Sequence, residues 1–338
     1  MLETIRELSL LDGVSGREDA VRDYIINEVK PYADSIETDA LGNLIVFRKG
    51  KERPKNKVML DAHMDEVGMM ITYINSDGTL DFDCVGGIDK RVMLGKPVTV
   101  GASRIQGVIG VKAVHMVSDD EKLKMPSTMY IDIGADSKEE AEKAVSVGDY
   151  ACFNSEFVEY GDGFIKGKAL DDRAGCAMLI EIIKSELPYD MYFCFSAGEE
   201  VGFGIATTAF YKVQPDYAIV VETTTAADLA DVPDNKKVCR LGDGGVVSFM
   251  DRRTIYPKDL FDKAFEVAQK NGIKIQAKKA VAGGNNAGVI HKTAGGVRTL
   301  AVSLPCRYLH SPSCVLKKDD ITESVKLIKA LAEEFANG

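Results

Sequence analysis

The chain has 338 residues, 45% of them hydrophobic and 28% charged, a mix that can bury a large core and suggests about two domains at roughly 150 residues each. Its 42 Lys and Arg against 52 Asp and Glu leave a net charge of −10. That balance argues against nucleic acid as a partner and supplies no polybasic signal for an anionic membrane.

No apolar run reaches the roughly 18 residues that a bilayer span needs, and MLETIRELSLLDG lacks the basic start of a signal peptide. The seven cysteines (84, 152, 176, 194, 239, 306 and 314) include no CxxC pair. Reduced thiols in a cytoplasmic protein are the simplest account.

In chain order, Ser15 and Glu18 form a capping-box pattern ahead of Val21, Tyr24, Ile25 and Val29 at helical spacing. Apolar runs of strand length follow at 44–47 and 58–60. Residues 66–160 are rich in Gly, Val and Ile, with a turn at Ser76-Asp77-Gly78 and one helical pattern over 137–145. They read as a small β-rich module. Beyond it, apolar runs at 192–195, 217–221 and 300–304 are interleaved with amphipathic helices at 258–270 and from about Asp320. The expectation is an α/β domain, 1–65 plus 161–338, with a mixed sheet flanked by helices and interrupted by the 66–160 insert.

Five segments carry side chains suited to chemistry. In VMLDAHMDEVG (58–68) a strand runs into His63, with Asp65 two positions on. An imidazole there can bind a metal while a carboxylate orients its other nitrogen, or the segment is a polar turn. In GKALDDRAGC (167–176), Asp171 and Asp172 open a helix of small residues, where they can cap it or bridge metals. In YFCFSAGEEVGFGIA (192–206) an apolar strand meets Glu199 and Glu200, which either form a solvated acidic loop or divide metal binding from general-base work. A strand ends at Glu222, and another leads to His310 in a Pro-flanked loop. A capped strand end or a hydrogen-bonded histidine explains either one alone. Gathered at one edge of a sheet, the five sites suit two divalent ions sharing a carboxylate.

The order HMDEVG, ALDDR, GEEVGFGIA, a strand-end acid and RYLHSP resembles the TET and glutamyl aminopeptidase family of dinuclear metallo-aminopeptidases, some once labelled endoglucanase M. IDIGADSKEEAEKAVSVGDY (131–150) and AGVIHKTAGGVRTLAVSLPCRYLHSP extend the resemblance over nearly the whole chain. The resemblance implies a zinc-exopeptidase-like fold with a PDZ-like insert used in assembly, commonly of twelve subunits. It also implies two divalent ions per subunit, with mixed N and O ligands suiting Zn²⁺, Co²⁺ or Mn²⁺. His63 and Glu222 would bind one ion and Glu200 and His310 the other, with Asp171 bridging. Glu199 would be the general base, and Asp65 would orient His63. The substrates implied are short peptides with a free N-terminus. Two positions depart from the family pattern: Glu222 stands where Asp is usual, and Asn286 replaces the Asp of a TDAG-like motif. His115 reads as a surface or interface residue, and His291 as structural. The rival readings are a two-metal deacylase of N-acyl amino acids and a non-catalytic metal-binding relative.

Overall fold

The computed structural model describes residues 1–116, 129–202 and 204–338. Phe203 of the GEEVGFGIA motif and residues 117–128 of the 66–160 stretch lie outside them. Helices α1 (Leu2–Leu10) and α2 (Asp19–Val29) precede strands β1 (Ser35–Thr38), β2 (Leu44–Arg48) and β3 (Val58–His63). Then come β4 (Gly68–Ile74), β5 (Leu80–Val85), β6 (Pro97–Val100), β7 (Ile105–Gly110), β8 (Tyr130–Asp132), α3 (Lys138–Ala141) and β9 (Tyr150–Phe153). The chain continues through β10 (Val158–Tyr160), β11 (Phe164–Gly167), α4 (Leu170–Lys184), β12 (Met191–Ser196), α5 (Ala206–Val213) and β13 (Tyr217–Thr225). It ends with β14 (Gly245–Val247), α6 (Lys258–Asn271), β15 (Ile275–Ala277), α7 (Ala287–Ile290), β16 (Arg298–Cys306), β17 (Cys314–Lys317) and α8 (Lys318–Asn337).

Eight strands form one mixed sheet in the order β1-β2-β12-β3-β13-β16-β14-β15. The four central strands, β12, β3, β13 and β16, pair in parallel. They are buried almost throughout, which is why their sequences are near-continuous apolar runs rather than alternating ones. Helix α4 lies against β3 and β13 beneath α1 and α2. Every residue from Leu170 to Ile183 except Glu181 is buried, so an apolar helix without a polar face is stable there. This is the flanked mixed sheet that the strand–helix alternation predicts.

Strands β4 to β9 close into a separate barrel in the order β4-β5-β8-β7-β6-β9. Met69, Ile71, Leu80, Val98, Val100, Ile109, Ile131 and Phe153 fill it as their own cluster. The seam is loosest between β5 and β8, which among the described residues pair only at Leu80 and Ile131.

Several local expectations change. The capping box does not form: Ser15 Oγ donates to Asp65 Oδ2 (2.6 Å) instead. Glu18 Oε1 accepts the N–H groups of Gly16 (2.8 Å) and Gly198 (3.2 Å), because the loop ahead of α2 is packed against the strand ends rather than facing water. The helix expected over 137–145 is reduced to α3, where Ser137 caps the N–H of Glu140. Strand β13 continues three residues beyond Glu222, since Thr223 to Thr225 pair with Leu304 to Cys306 of β16. Helix α1 was not anticipated. The seven cysteines are all free thiols, and no helix among the described residues is long and apolar enough to cross a membrane.

Candidate active site

The parallel strands deliver their functional residues to one edge of the sheet. His63 ends β3, Glu199 and Glu200 follow β12, Glu222 lies near the end of β13, and His310 follows β16. Loops beyond the carboxyl ends of parallel strands form the crevice where α/β proteins hold ligands. Asp171 reaches the same place from the start of α4. Asp171 and Asp172 have non-helical backbone angles there, and the regular helix begins after them.

The two readings of that aspartate pair turn out to apply to one residue each. Asp172 Oδ1 accepts the N–H of Gly175 (3.1 Å), as a helix cap does. A Cβ on Gly175 would stand 2.3 Å from the Asp172 carboxylate oxygens, so only glycine permits this approach. Asp171 turns instead to the two histidines. Its Oδ1 is 3.4 Å from His63 Nε2, and its Oδ2 is 3.3 Å from His310 Nε2. Glu222 Oε1 lies 3.3 Å from His63 Nε2, and Glu200 Oε2 lies 3.2 Å from His310 Nε2.

These spacings suit an ion better than hydrogen bonds. Donor atoms on a tetrahedral ion at bond lengths near 2.0–2.1 Å stand about 3.3 Å apart. His63, Asp171 and Glu222 form one such group, and Asp171, Glu200 and His310 form the other. Asp171 Oδ1 is buried without a hydrogen-bond donor, the condition a cation would relieve. The donor chemistry therefore fits divalent metal, and Asp171 is the residue common to both groups. At position 222 the longer Glu still reaches: its Oε1 also accepts the N–H of Thr223 (3.0 Å), which folds the side chain back.

Electrostatics follow from crowding these charges out of water. Burial pushes the Glu222 and Glu200 carboxyls well above the usual range, and the Asp171 charge adds to the effect. Burial alone would depress His63, but Glu222, Asp171 and Asp65 outweigh it and hold the imidazole well above its ordinary value. Asp171 is held low against its burial by the His310 and His63 imidazoles. Burial raises Glu199 to about 7. Glu199 belongs to neither donor group, yet it lines the same cleft as Asp171, Glu200, Glu222 and His310.

Asp65 faces His63, with its carbonyl 3.1 Å and its Oδ1 3.3 Å from Nδ1. Its carboxylate has a second set of contacts that residue type did not reveal. Oδ1 accepts the N–H of Glu199 (3.0 Å), and Oδ2 accepts the N–H of Glu200 (3.1 Å) and the Ser15 hydroxyl. The barrel segment also contributes, because Gly87 O, beyond β5, is 2.8 Å from His310 Nδ1. Arg173 is fully buried, with Nε donating to Met64 O (2.6 Å) between His63 and Asp65. It lies inside the ALDDR motif, so its sequence position was visible although its partners were not.

Asn286 lies beneath the site rather than lining the cleft, its amide bonded to Asp61 and Ser196. His291 Nδ1 meets Ala287 O (2.6 Å) and His115 is exposed; neither joins a donor group among the described residues. A third acidic group, Asp12, Glu66 and Cys152, already holds protein cations. Lys168 Nζ is 2.6 Å from Glu66 and 3.4 Å from Asp12, and Arg104 is 2.6 Å from Asp12.

Comparison with known proteins agrees with this geometry. Residues 42–327 match the model of the M42 glutamyl aminopeptidase family. A lysyl aminopeptidase of Pyrococcus furiosus is 32% identical over 98% of this chain and 97% of its own. A glutamyl aminopeptidase of Lactococcus lactis is 28% identical over 98% of this chain and 95% of its own. The Pyrococcus horikoshii TET1 peptidase, which can assemble into a tetrahedron or a large octahedral shell, superposes with a TM-score of 0.86 at 36% identity, covering 98% of this chain and 99% of that one. A match over most of its length, carried by relatives above 30% identity, makes this chain a member of the M42 glutamyl aminopeptidase family and a hydrolase of peptide bonds.

Proposed function

We propose that the protein is a two-metal aminopeptidase that removes N-terminal residues from short peptides. The observation that carries the reading is the pair of His–carboxylate groups sharing Asp171, beside a Glu199 that belongs to neither. His63 and Glu222 would hold one ion, Glu200 and His310 the other, and Asp171 both. Mixed N and O donors suit Zn²⁺ or Co²⁺, with Mn²⁺ also compatible. Bound there, the ions supply Lewis acidity and bring a water's pKa toward neutrality.

The chain's own groups do the rest. Glu199 takes a proton from the attacking water on its carboxylate and passes one to the leaving amine nitrogen. Asp65 positions Glu199 through its backbone N–H and orients His63. The site carboxylates give a charged α-amine a docking point that an internal peptide bond lacks, which is the physical reason for exopeptidase action.

The barrel, within the 66–160 insert, is the PDZ-like assembly module of this reading. Residues 1–65 and 161–338 form the catalytic domain, and the assembly is a homododecamer. Support comes from the barrel's separate core and from the shell-forming TET1 relative; solution mass tests it. The catalytic reading is tested with Glu199→Gln, metal content measured in parallel. A loss of about 10²-fold or more in kcat with both ions retained is expected. Near wild-type turnover would remove Glu199 from this role, and turnover of N-blocked but not free-amine substrates would favour a deacylase.

A further inference from the structure

Two cysteines bracket the loop that presents His310. Cys306 is the last residue of β16, and Cys314 is the first of β17. Arg307 and Val315 exchange backbone hydrogen bonds (3.0 Å each), which closes the loop at its base. Side chains alternate along a strand, so Cys306 and Cys314 emerge on the same face of that ladder, one diagonal step apart. Their thiols interact with each other. Both are buried and free.

Residues 307–313 follow an uncommon backbone path. Tyr308 and His310 both lie in the left-handed region, at φ 58° and 56°, which residues bearing a Cβ hold where surrounding contacts impose it. The two thiols are among those contacts. Cys306 Sγ donates to Arg307 O (3.4 Å), and Cys314 Sγ is 3.6 Å from both Tyr308 O and Ser311 O. Tyr308 O also accepts the Ser311 hydroxyl (2.6 Å). Cys314 lines a small cavity with Asp171, Glu200 and His310, so a small molecule entering among the donor groups reaches its side chain. Contact with Cys306 lowers the Cys314 thiol below its ordinary value, whereas burial raises Cys152, Cys176 and Cys194 well above theirs. Thiolate character of this kind marks the sulfur that an oxidant attacks first.

We propose that Cys306 and Cys314 form a redox modification site, in which hydrogen peroxide joins them in a disulfide that distorts the His310 loop and reversibly disables the Glu200–His310 donor group. The Cys314 sulfur attacks one peroxide oxygen, forming an S–O bond as the O–O bond breaks, and the other oxygen leaves as water with the thiol's proton. The Cys306 sulfur then attacks the sulfenic sulfur, forming the S–S bond, and the hydroxyl leaves with the Cys306 proton as a second water. The two sulfurs together give up two electrons, which the peroxide oxygens gain. The product draws the sulfurs to about 2.05 Å and consumes both thiol hydrogens, so Arg307 O, Tyr308 O and Ser311 O lose those donors. His310 is then no longer held against Asp171 and Glu200. The effect on turnover rests on the aminopeptidase reading above, whereas the bond itself does not.

The test uses the full-length enzyme loaded with Zn²⁺, which has no redox chemistry of its own. The enzyme is treated with hydrogen peroxide, its remaining thiols are alkylated, and it is cut with trypsin for mass spectrometry. Cleavage after Arg298, Arg307 and Lys317 puts the two cysteines on separate peptides, 299–307 and 308–317. These peptides are expected to be joined by a disulfide, and about half of the bound zinc should be lost. With the fastest of the Glu, Leu and Lys 4-nitroanilides, kcat/KM should fall by at least about tenfold. A phosphine reductant followed by zinc should restore both. Cys306→Ser keeps a hydroxyl donor for Arg307 O, so its untreated activity should match the wild type. It should lack the part of the loss that the reductant reverses.

Peptides 299–307 and 308–317 that stay separate after treatment overturn the inference. So does a joined pair in an enzyme with full zinc content and full kcat/KM, or a loss in Cys306→Ser that the reductant reverses as completely as in the wild type. If Cys306→Ser does not fold, peptide linkage and zinc content in the wild type decide. Failure of the reduced enzyme to turn over any free-amine substrate overturns the aminopeptidase reading instead, and linkage with zinc loss still decides this inference.

Discussion

Asn286 is the residue whose type departs from the family pattern and whose contacts give the reason. Its Nδ2 donates to Asp61 Oδ2 (2.9 Å) and to Ser196 Oγ (2.8 Å), both groups being buried. Asp61 Oδ1 has no partner, and burial pushes that carboxyl up to about 6. An aspartate at 286 would set a second carboxylate against the first and remove the amide donor, leaving only the weaker Ser196 and Cys194 groups among the described residues to face it. Asparagine is therefore matched to Asp61 and not to substrate. Asn286→Asp is expected to cost about 1–3 kcal/mol of stability, read by denaturant unfolding. Asp61→Asn combined with Asn286→Asp restores an amide–carboxylate pair, so the double variant should recover most of that loss. Additive losses in the cycle would mean that the two side chains are not coupled.

At the scale of elements, what reaches the site is set by how strand ends and one helix start are tied together. Arg173 performs much of that tying. From the first turn of the regular part of α4, its guanidinium donates to Met64 O in the β3–β4 loop and to Leu8 O (2.6 Å) in α1, and it lies 3.4 Å from Glu66. It thus fixes Asp171 relative to His63 without touching either. Arg173→Met fills similar volume but removes the donor to Met64 O and a cation beside Glu66, and leaves Leu8 O only the N–H of Leu11 (3.3 Å). A loss of about 3–5 kcal/mol is expected, measured as a fall in the unfolding midpoint. Arg173→Lys cannot replace the fork of donors and should recover little; full stability in the Lys variant would show that charge alone suffices.

Five strands of the main sheet were legible as apolar runs, and the candidate residues stood out where such a run meets a polar loop or a helix of small residues opens; their assignment as metal ligands came from the family resemblance. The backbone partners were not legible. Met64 O and Gly87 O carry no residue-type signal, and Ser15 and Glu18 matched a capping pattern so well that their contacts with Asp65 and Gly198 were hidden behind it.

For the whole molecule, the −10 net charge is unevenly distributed, with Asp171, Glu199, Glu200 and Glu222 converging on one cleft. Without cations this concentration opposes folding, because burial and mutual repulsion act on the same groups. Removing metal with a strong chelator should therefore lower the melting temperature as well as abolish turnover. An ion at about 100 times its dissociation constant contributes roughly 2.7 kcal/mol. Re-addition of Zn²⁺, Co²⁺ or Mn²⁺ should restore it. The pH dependence has a definite sign. Burial would lower His310, but Asp171 and Glu200 raise it to about 10, so the metal-free imidazole is protonated near neutrality. An ion must displace that proton, and its affinity must rise with pH. The melting-temperature gain on adding metal should accordingly be larger at about pH 8 than at about pH 6. A chelated protein that melts with the untreated one, or a metal-dependent gain that does not change across that interval, would place the ions somewhere other than against His63 and His310.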